Sequence, residues 1–246
     1  MSSLTVFGFF AVTGGRRVAT QKPGSNTKTY YCFYTTALQS TDGASLPAQL
    51  RIYSPVNDRV LEDNTVVFAV SRAHMPAHET ILLDVSHMYP IPGDPSAPEA
   101  YDAHLPDCCV PFIIGLGTVP ARAELLSDNA SKAFNVVSSE FVRDSLKTSI
   151  IQCVYHYVLC SHLSHFNSRC VYDGSRPRWN NTPTPNVNTT IQYVGTFSAV
   201  NANGCVRVNV ENISFNVGQQ EASAPSPLTA TPKKRKFAAI ATSPYV

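Results

Sequence analysis

Short runs of β-branched and aromatic residues with alternating polarity recur along most of the chain, whereas sustained helical periodicity is scarce. Alternation with a period of two is typical of strands, because successive side chains on a strand point to opposite faces. Clusters of Gly, Pro, Asn and Asp separate the runs and predict turns. The sequence therefore predicts an all-β fold. The predicted strands are 4–12, 28–38, 49–53, 65–72, 80–87, 110–119, 134–142, 149–158, 169–172, 190–200 and 206–215.

A proline-rich, acidic stretch interrupts this pattern at residues 94–107. It carries four acidic residues and neither Lys nor Arg, and five prolines occur between positions 90 and 106. Because proline fixes φ and lacks an N–H, the stretch is predicted to be a linker with neither strand nor helix. The chain accordingly divides into a first β-barrel at 1–93, the linker, a second β-barrel at 108–218 and a tail at 219–246.

Segments on the two sides of this linker resemble each other. The matching pairs are 64–70 with 188–194, 81–85 with 206–210 and 6–9 with 113–116. Such similarity indicates an internal duplication of a β-rich unit of roughly 90 to 110 residues.

A glycine lies near the centre of the first predicted strand of each unit, at Gly8 and Gly115. A barrel of few strands must bend its first strand sharply, and glycine permits such a bend. The spacing of five strands, with a gap between the third and the fourth, predicts a small closed Greek-key barrel for each unit. The Gly14-Gly15 pair is expected to end the first strand of the chain.

Residues 143–158 leave two alternatives open. Leu146, Ile150 and Val154 are spaced as on one face of a helix. The β-branched and aromatic residues between 149 and 158 favour a strand instead. We expect the strand.

The last predicted hairpin carries the clearest family resemblance. It comprises Ile191-Gln192-Tyr193-Val194-Gly195-Thr196-Phe197, a turn at Asn203-Gly204 and the strand at 206–215. This hairpin resembles the fourth and fifth strands of nuclear OB-fold proteins. Residues 1–218 are similar to tandem OB-folds, the barrel family that includes the large subunit of replication protein A and telomere-end binders. The resemblance implies two small OB-like barrels in tandem, followed by a disordered tail.

In OB-fold proteins, aromatic side chains on the second and third strands stack on bases, with Lys and Arg beside them for phosphates. In the first unit, alternation assigns Tyr31 and Phe33 to one face and Tyr30, Cys32 and Tyr34 to the other, so half of them are expected in the core. On the third strand, Arg51 and Tyr53 add to the mixture. The alternative is that these aromatic residues serve only packing.

In the second unit, three arginines and the only tryptophan lie close together in a loop rich in Pro, Asn and Gly. Trp and Arg can stack on bases or on one another. The alternative for the tryptophan is that it anchors the loop onto its barrel. Over both units, the candidate nucleic-acid-binding residues are Arg16, Arg17, Lys28, Tyr31, Phe33, Arg51, Arg169, Arg176, Arg178 and Trp179.

The tail contains a basic run, Lys233, Lys234, Arg235 and Lys236, directly after Pro232. A run of this kind predicts a nuclear import signal for an import receptor, although a solvated charge run is the alternative. The rest of the tail has few large apolar residues and is expected to be disordered. Without the tail, 15 Lys and Arg face 16 Asp and Glu. Polyanion binding by the barrels must therefore come from local clusters.

Seven cysteines, an odd number, and no evident secretion signal predict reduced thiols. A zinc site remains an alternative to packing for Cys153, Cys160, His162, His165 and Cys170, although no Cys-x-x-Cys pair is present. No metal or other cofactor is expected. The apolar run at 6–12 is too short to span a bilayer, and no membrane segment is expected.

No spacing typical of a catalytic site or of a phosphate-binding glycine loop occurs. The sequence therefore predicts a nuclear protein that binds single-stranded nucleic acid, with DNA expected and RNA left open, and that is not an enzyme. The alternative is an OB-type scaffold that binds other proteins in a nuclear DNA-maintenance complex.

Overall fold

A computed structural model describes residues 2–21, 24, 26–55, 59–106, 110–127, 131–155, 182–215 and 217–218. Within these ranges the chain is almost entirely β-structure, which confirms the predicted fold class. One short helix, α1, spans Pro98–Asp102. The strands are β1 Ser3–Gln21, β2 Lys28–Gln39, β3 Ser45–Tyr53, β4 Thr65–His74, β5 Ile81–Pro90, β6 Phe112–Thr118, β7 Glu124–Leu125, β8 Lys132–Val142, β9 Ser145–Tyr155, β10 Thr190–Val200 and β11 Val206–Ser214.

The first five strands close into a ring in the order β1-β2-β3-β5-β4-β1. All neighbours are antiparallel except β3 and β5, which run parallel. The later strands repeat this ring as β6-β8-β9-β11-β10-β6, with β9 and β11 as the parallel pair. The short β7 adds to the edge of β8. Each ring is an OB-like Greek-key barrel.

The two barrels place matched sequence segments at matched positions. The segments 64–70 and 188–194 begin the fourth strand of their barrels, β4 and β10. Asn64 and Asn188 both have left-handed backbones, with φ of 67° and 63°. The backbone N–H of Asn64 donates to the carbonyl of Val12 in β1, and that of Asn188 donates to the carbonyl of Val119, directly after β6. Because asparagine tolerates this conformation better than most residues, the repeated Asn marks a repeated turn.

The strand at 145–155 settles the ambiguity left by the sequence, because β9 pairs with β8 over its whole length.

Two expectations are wrong, and the first concerns the linker. Residues 98–102 of the supposed linker form α1, in which Pro98 occupies a first-turn position where its missing N–H costs nothing. Tyr101 of this helix is buried, and its hydroxyl accepts the Val66 N–H at 2.9 Å.

The second wrong expectation concerns the first strand, which does not end at Gly14-Gly15. Instead β1 continues to Gln21, and its pairing with β2 shifts by one residue between Thr13 and Arg16. Gly14 adopts a φ of 61° within this bulge, a conformation that glycine reaches at little cost. The bulge lets the strand continue, so Arg16 lies on a strand opposite Phe33.

Gly115 makes room for a buried side chain of the neighbouring strand. It lies directly opposite Tyr193 of β10, whose side chain is fully buried. A Cβ at position 115 would lie 2.2 Å from the Cζ atom of the Tyr193 ring. The glycine therefore makes room for the largest side chain near this part of the second core.

The two barrels share one continuous sheet. Their first strands, β1 and β6, pair antiparallel from Ser3↔Leu116 to Phe7↔Phe112. The matched residues Val6 and Ile113 face each other in this ladder, so the duplicated units are related by an approximate two-fold axis that passes between them. Buried side chains of both barrels form a single cluster.

Each barrel also extends the hairpin between its second and third strands onto the other barrel. At the tip of the β2–β3 hairpin, the N–H groups of Thr41 and Asp42 donate to the carbonyls of Phe197 and Ser198 on β10. The β8–β9 hairpin tip reaches β3 and β5 through Arg143. The halves are therefore joined by far more than the connection at 94–107.

We predict that a proteolytic cut within residues 94–106 will not separate the halves. A denaturing gel should show two fragments, whereas native size-exclusion chromatography should show one peak at the mass of the uncut chain. The β1–β6 ladder and both hairpin tips remain intact after such a cut. Elution of the fragments as two smaller species would contradict the observed junction.

Candidate nucleic-acid interface

The outer face of β2 and β3 gathers aromatic and cationic side chains from three strands. Directly opposite residues on neighbouring strands share a face. Phe33 lies opposite both Arg16 of β1 and Arg51 of β3. Tyr31 lies opposite Tyr53. We call Arg16, Tyr31, Phe33, Arg51 and Tyr53 the β2–β3 face.

The predicted alternation along β2 is confirmed. Cys32 and Tyr34 are buried in the barrel core, whereas Tyr31 and Phe33 are half-buried on the outer side. Tyr30 belongs to the inner set but is only half-buried, and the Arg17 guanidinium lies 4.6 Å from its ring centroid. Arg17 also donates to the carbonyl of Pro55 at 2.6 Å. The structure thus gives Arg17 a packing role at the end of the barrel.

Tyr53 presents the most open aromatic ring of the β2–β3 face. The residue is 61% exposed. Its ring lies edge-on to that of Tyr31, with centroids 6.4 Å apart and an interplanar angle of 83°. One ring thereby fixes the other while a broad aromatic surface stays accessible.

Three arginines surround the other two rings of the face. The guanidinium carbons of Arg16 and Arg143 lie 5.7 and 5.1 Å from the Phe33 ring centroid. That of Arg51 lies 4.7 Å from the Tyr31 centroid. These distances are within the range of cation–π attraction. Arg143 belongs to the β8–β9 hairpin, so both barrels contribute to this face.

Two of these arginines belong to an ionic network between the barrels. Arg51 donates through Nε and Nη2 to the two carboxylate oxygens of Asp84, at 3.0 and 2.6 Å. Its Nη1 donates to Asp144 at 2.7 Å. Arg143 donates to Asp84 through its backbone N–H at 2.8 Å and its Nη1 at 3.0 Å. Its Nη2 donates to the carbonyl of Gln49 at 3.0 Å.

Burial affects the two arginines differently. Desolvation acts to lower the pKa of Arg51, but hydrogen bonds to Asp144 and Asp84 outweigh it and leave that pKa above its ordinary value. Burial lowers the pKa of Arg143 to about 10, with the charge of Asp84 opposing this shift. Both side chains therefore remain charged at neutral pH.

The turn that carries Arg143 has an unusual backbone. Arg143 and Asp144 have φ of 54° and 64°, the left-handed pair that a two-residue hairpin turn requires. Asn-Gly is the usual sequence there, because most other residues are strained in this conformation. The contacts of the turn with Asp84 and Arg51 hold it in place.

The remaining predicted residues lie apart from the network or outside the described part of the chain. Arg16 and Lys28 are exposed, and Lys28 begins β2 opposite Gln21. Arg51 is only 9% exposed, and its guanidinium is paired with Asp84 and Asp144. Within the β2–β3 face it mainly supports the Tyr31 ring. Those outside the described residues are Arg169, Arg176, Arg178, Trp179, Lys233, Lys234, Arg235 and Lys236.

Four of the five candidate zinc ligands, at 160, 162, 165 and 170, also lie outside the described residues. The fifth, Cys153, is fully buried in the second core, and burial raises the pKa of its thiol well above the ordinary value. Such a thiol packs as a small apolar side chain. The described ranges contain no group of three potential metal ligands and no helix able to cross a membrane.

Comparison with known proteins gives structural neighbours only. No protein-family model and no curated protein matches the chain. A crystal structure of a deletion variant of the single-stranded DNA binding protein from Thermus aquaticus is similar over 91% of this chain and 98% of that one, at 10% identity and a TM-score of 0.48. The wild-type Thermus aquaticus protein is similar over 94% and 97%, at 11% identity and a TM-score of 0.46.

We predict that Asp84→Asn strongly destabilises the protein. The substitution removes the carboxylate that pairs with the largely buried Arg143 and leaves the largely buried Arg51 with the mostly exposed carboxylate of Asp144. Breaking a buried ion pair typically lowers the free energy of unfolding by about 3–5 kcal/mol. Urea denaturation would measure the loss. Asp102→Asn, the same change at an exposed position on α1, serves as the control and should leave stability almost unchanged; equal stabilities of the two variants would contradict the network.

Proposed function

We propose that the chain binds single-stranded nucleic acid, with DNA as the proposed form, on the β2–β3 face and without catalysis. The observation that carries the proposal is the open ring of Tyr53 beside Tyr31, on the strands that line the binding surface of OB-folds. Unpaired bases expose flat surfaces that stack on such rings, whereas paired bases within a duplex do not. The ligand is therefore a single strand.

The cations of the face support this assignment and limit its strength. Arg16 is exposed with its guanidinium carbon 5.7 Å from the Phe33 ring centroid, Lys28 is exposed at the start of β2, and both are available to phosphates. Arg51 and Arg143 are already paired with carboxylates. Two phosphate contacts correspond to a slope of about −1.4 in a plot of log affinity against log salt, since each contact on a single strand contributes about −0.7. Stacking then supplies much of the affinity.

The second barrel favours a different partner. Its outer face on β8 and β9 exposes Phe141, Leu146 and Ile150, at 50%, 71% and 45%. Phe141 and Leu146 lie directly opposite each other in the ladder. Mostly aliphatic side chains of this kind suit a protein surface better than bases. A scaffolding role for the second barrel is therefore the second candidate function, and binding of a protein there need not weaken steeply with salt.

The proposal places the protein in the nucleus, where an import receptor would read the basic run at 233–236. The run follows a proline and lies among small polar residues, the composition that such receptors accept. The arginine and tryptophan cluster at 169–179 is proposed as a further contact with the strand. Both segments lie outside the described residues.

We predict that Tyr53→Ala weakens binding of a fluorescently labelled single-stranded DNA by roughly 5-fold to 150-fold, because stacking is worth about 1–3 kcal/mol per base. Fluorescence anisotropy against single-stranded DNA, single-stranded RNA and duplex DNA, each at two salt concentrations, measures the loss. Tyr53 is exposed at an outer position, so the change should not lower the melting temperature.

Tyr89 on β5 offers a matched control. It is 60% exposed, almost the same as Tyr53, but it lies opposite Phe68, away from the β2–β3 face. Tyr89→Ala should leave affinity within 2-fold of the unchanged chain. Equal losses for both variants, or no binding by the unchanged chain, would refute the proposed interface.

Replacing Lys233 to Lys236 by alanine should redistribute a fluorescent fusion from the nucleus to the cytoplasm. The prediction follows from the loss of four consecutive charges at the proposed import signal. Thermal denaturation of the same variant should match that of the unchanged chain. Nuclear accumulation at the original level would rule out this signal.

A further inference from the structure

A carboxylate occupies part of the proposed interface. Asp144 lies at the tip of the β8–β9 hairpin, and its Oδ2 accepts from Nη1 of Arg51 at 2.7 Å. The Asp144 side chain is 64% exposed, whereas that of Arg51 is 9% exposed. Solvent therefore reaches this contact from the Asp144 side.

Arg51 does not need this contact to stay in place. Its Nε and Nη2 are held by the two oxygens of Asp84, in the bidentate geometry that fixes a guanidinium most firmly. The Tyr31 ring, 4.7 Å from the guanidinium carbon, supports it further. Nη1 is thus a positioned donor beside the aromatic rings, and among the described residues its hydrogen-bond partner is the exposed carboxylate of Asp144.

We propose that Asp144 competes with a nucleic-acid phosphate for Nη1 of Arg51, so that the hairpin of the second barrel limits the affinity of the first. The inference rests on the proposed function and deepens it. When a nucleic-acid strand stacks on Tyr53 and Tyr31, its phosphate and the Asp144 carboxylate compete for the same N–H donor. The two groups also repel each other, because both are negatively charged. Displacement of the carboxylate opens one phosphate site that is already oriented.

The strained turn is consistent with this role. Arg143 and Asp144 both keep left-handed backbones, and Arg143 ties the turn to Asp84 through its backbone N–H and its guanidinium. These ties hold the Asp144 carboxylate over Arg51. Asparagine and glycine both suit the backbone at position 144, so the carboxylate can be removed without adding strain.

The test compares Asp144→Asn and Asp144→Gly with the unchanged chain, by anisotropy with a labelled oligo(dT) over a range of salt concentrations. Both variants should bind about 3-fold to 10-fold more tightly at low salt, because one exposed negative charge is gone. The slope of log affinity against log salt should steepen by about 0.7, the contribution of one more phosphate contact. Asp102→Asn changes the net charge equally but lies on α1, and it should alter neither quantity.

The outcomes separate this inference from the proposed function. If the unchanged chain binds and Tyr53→Ala weakens it, but neither Asp144 variant binds more tightly than Asp102→Asn, competition by Asp144 is wrong while the interface stands. If all variants fail to bind single strands, the interface and the competition are both wrong. Tighter binding without a steeper salt slope overturns the added phosphate contact, since a gain through Arg51 requires it. Melting temperatures of the two variants close to that of the unchanged chain establish that folding is intact.

Discussion

The antiparallel ladder between β1 and β6 is the interaction on which the rest of the structure depends. Each strand is the first of its barrel and also pairs with the fourth, so the junction is continuous with both barrels. Because the matched residues Val6 and Ile113 face each other, the barrels are held in one relative orientation. That orientation brings each hairpin tip onto the other barrel. The ionic network and the position of Arg143 over Phe33 follow from that orientation.

Charge at the interface is largely balanced within the protein. Arg51, Arg143, Asp84 and Asp144 sum to zero, and the barrels as a whole carry a nearly neutral formal charge. A protein of this kind attracts a polyanion only at short range, where exposed cations and aromatic rings act together. In the proposed function, selectivity for unpaired bases is then a matter of stacking geometry more than of long-range attraction.

Local patterns in the sequence predicted much of the fold, because the alternating polarity of a strand is visible in residues that are neighbours in the sequence. Alternation alone predicted that Tyr31 and Phe33 share a face, and the burial of Cys32 and Tyr34 shows that this face points outward. The long β1 was not predictable in this way, since Gly14-Gly15 is typical of a turn and also of a bulge. The short helix α1 was not predicted because its stretch of sequence is rich in proline, although the burial of Tyr101 stabilises it.

The Arg143 and Asp144 contributions to the interface were equally hidden. Arg143 is 59 residues from Asp84, and Asp144 is 93 residues from Arg51. Nothing in a single sequence links residues at such separations, because the contacts arise only when two barrels meet.

The bulge in β1 determines whether Arg16 or Arg17 lies on the outer face of the barrel. Before Thr13 the even-numbered residues point into the barrel, whereas after the one-residue shift Arg16 points outward with Phe33, and Arg17 lies opposite the buried Cys32. If the same residues were paired without the bulge, Arg16 would lie opposite Cys32, and the two arginine side chains would exchange between the outer and inner faces. The position of a bulge along a strand therefore selects which side chains form the outer surface, without any change in the residues themselves.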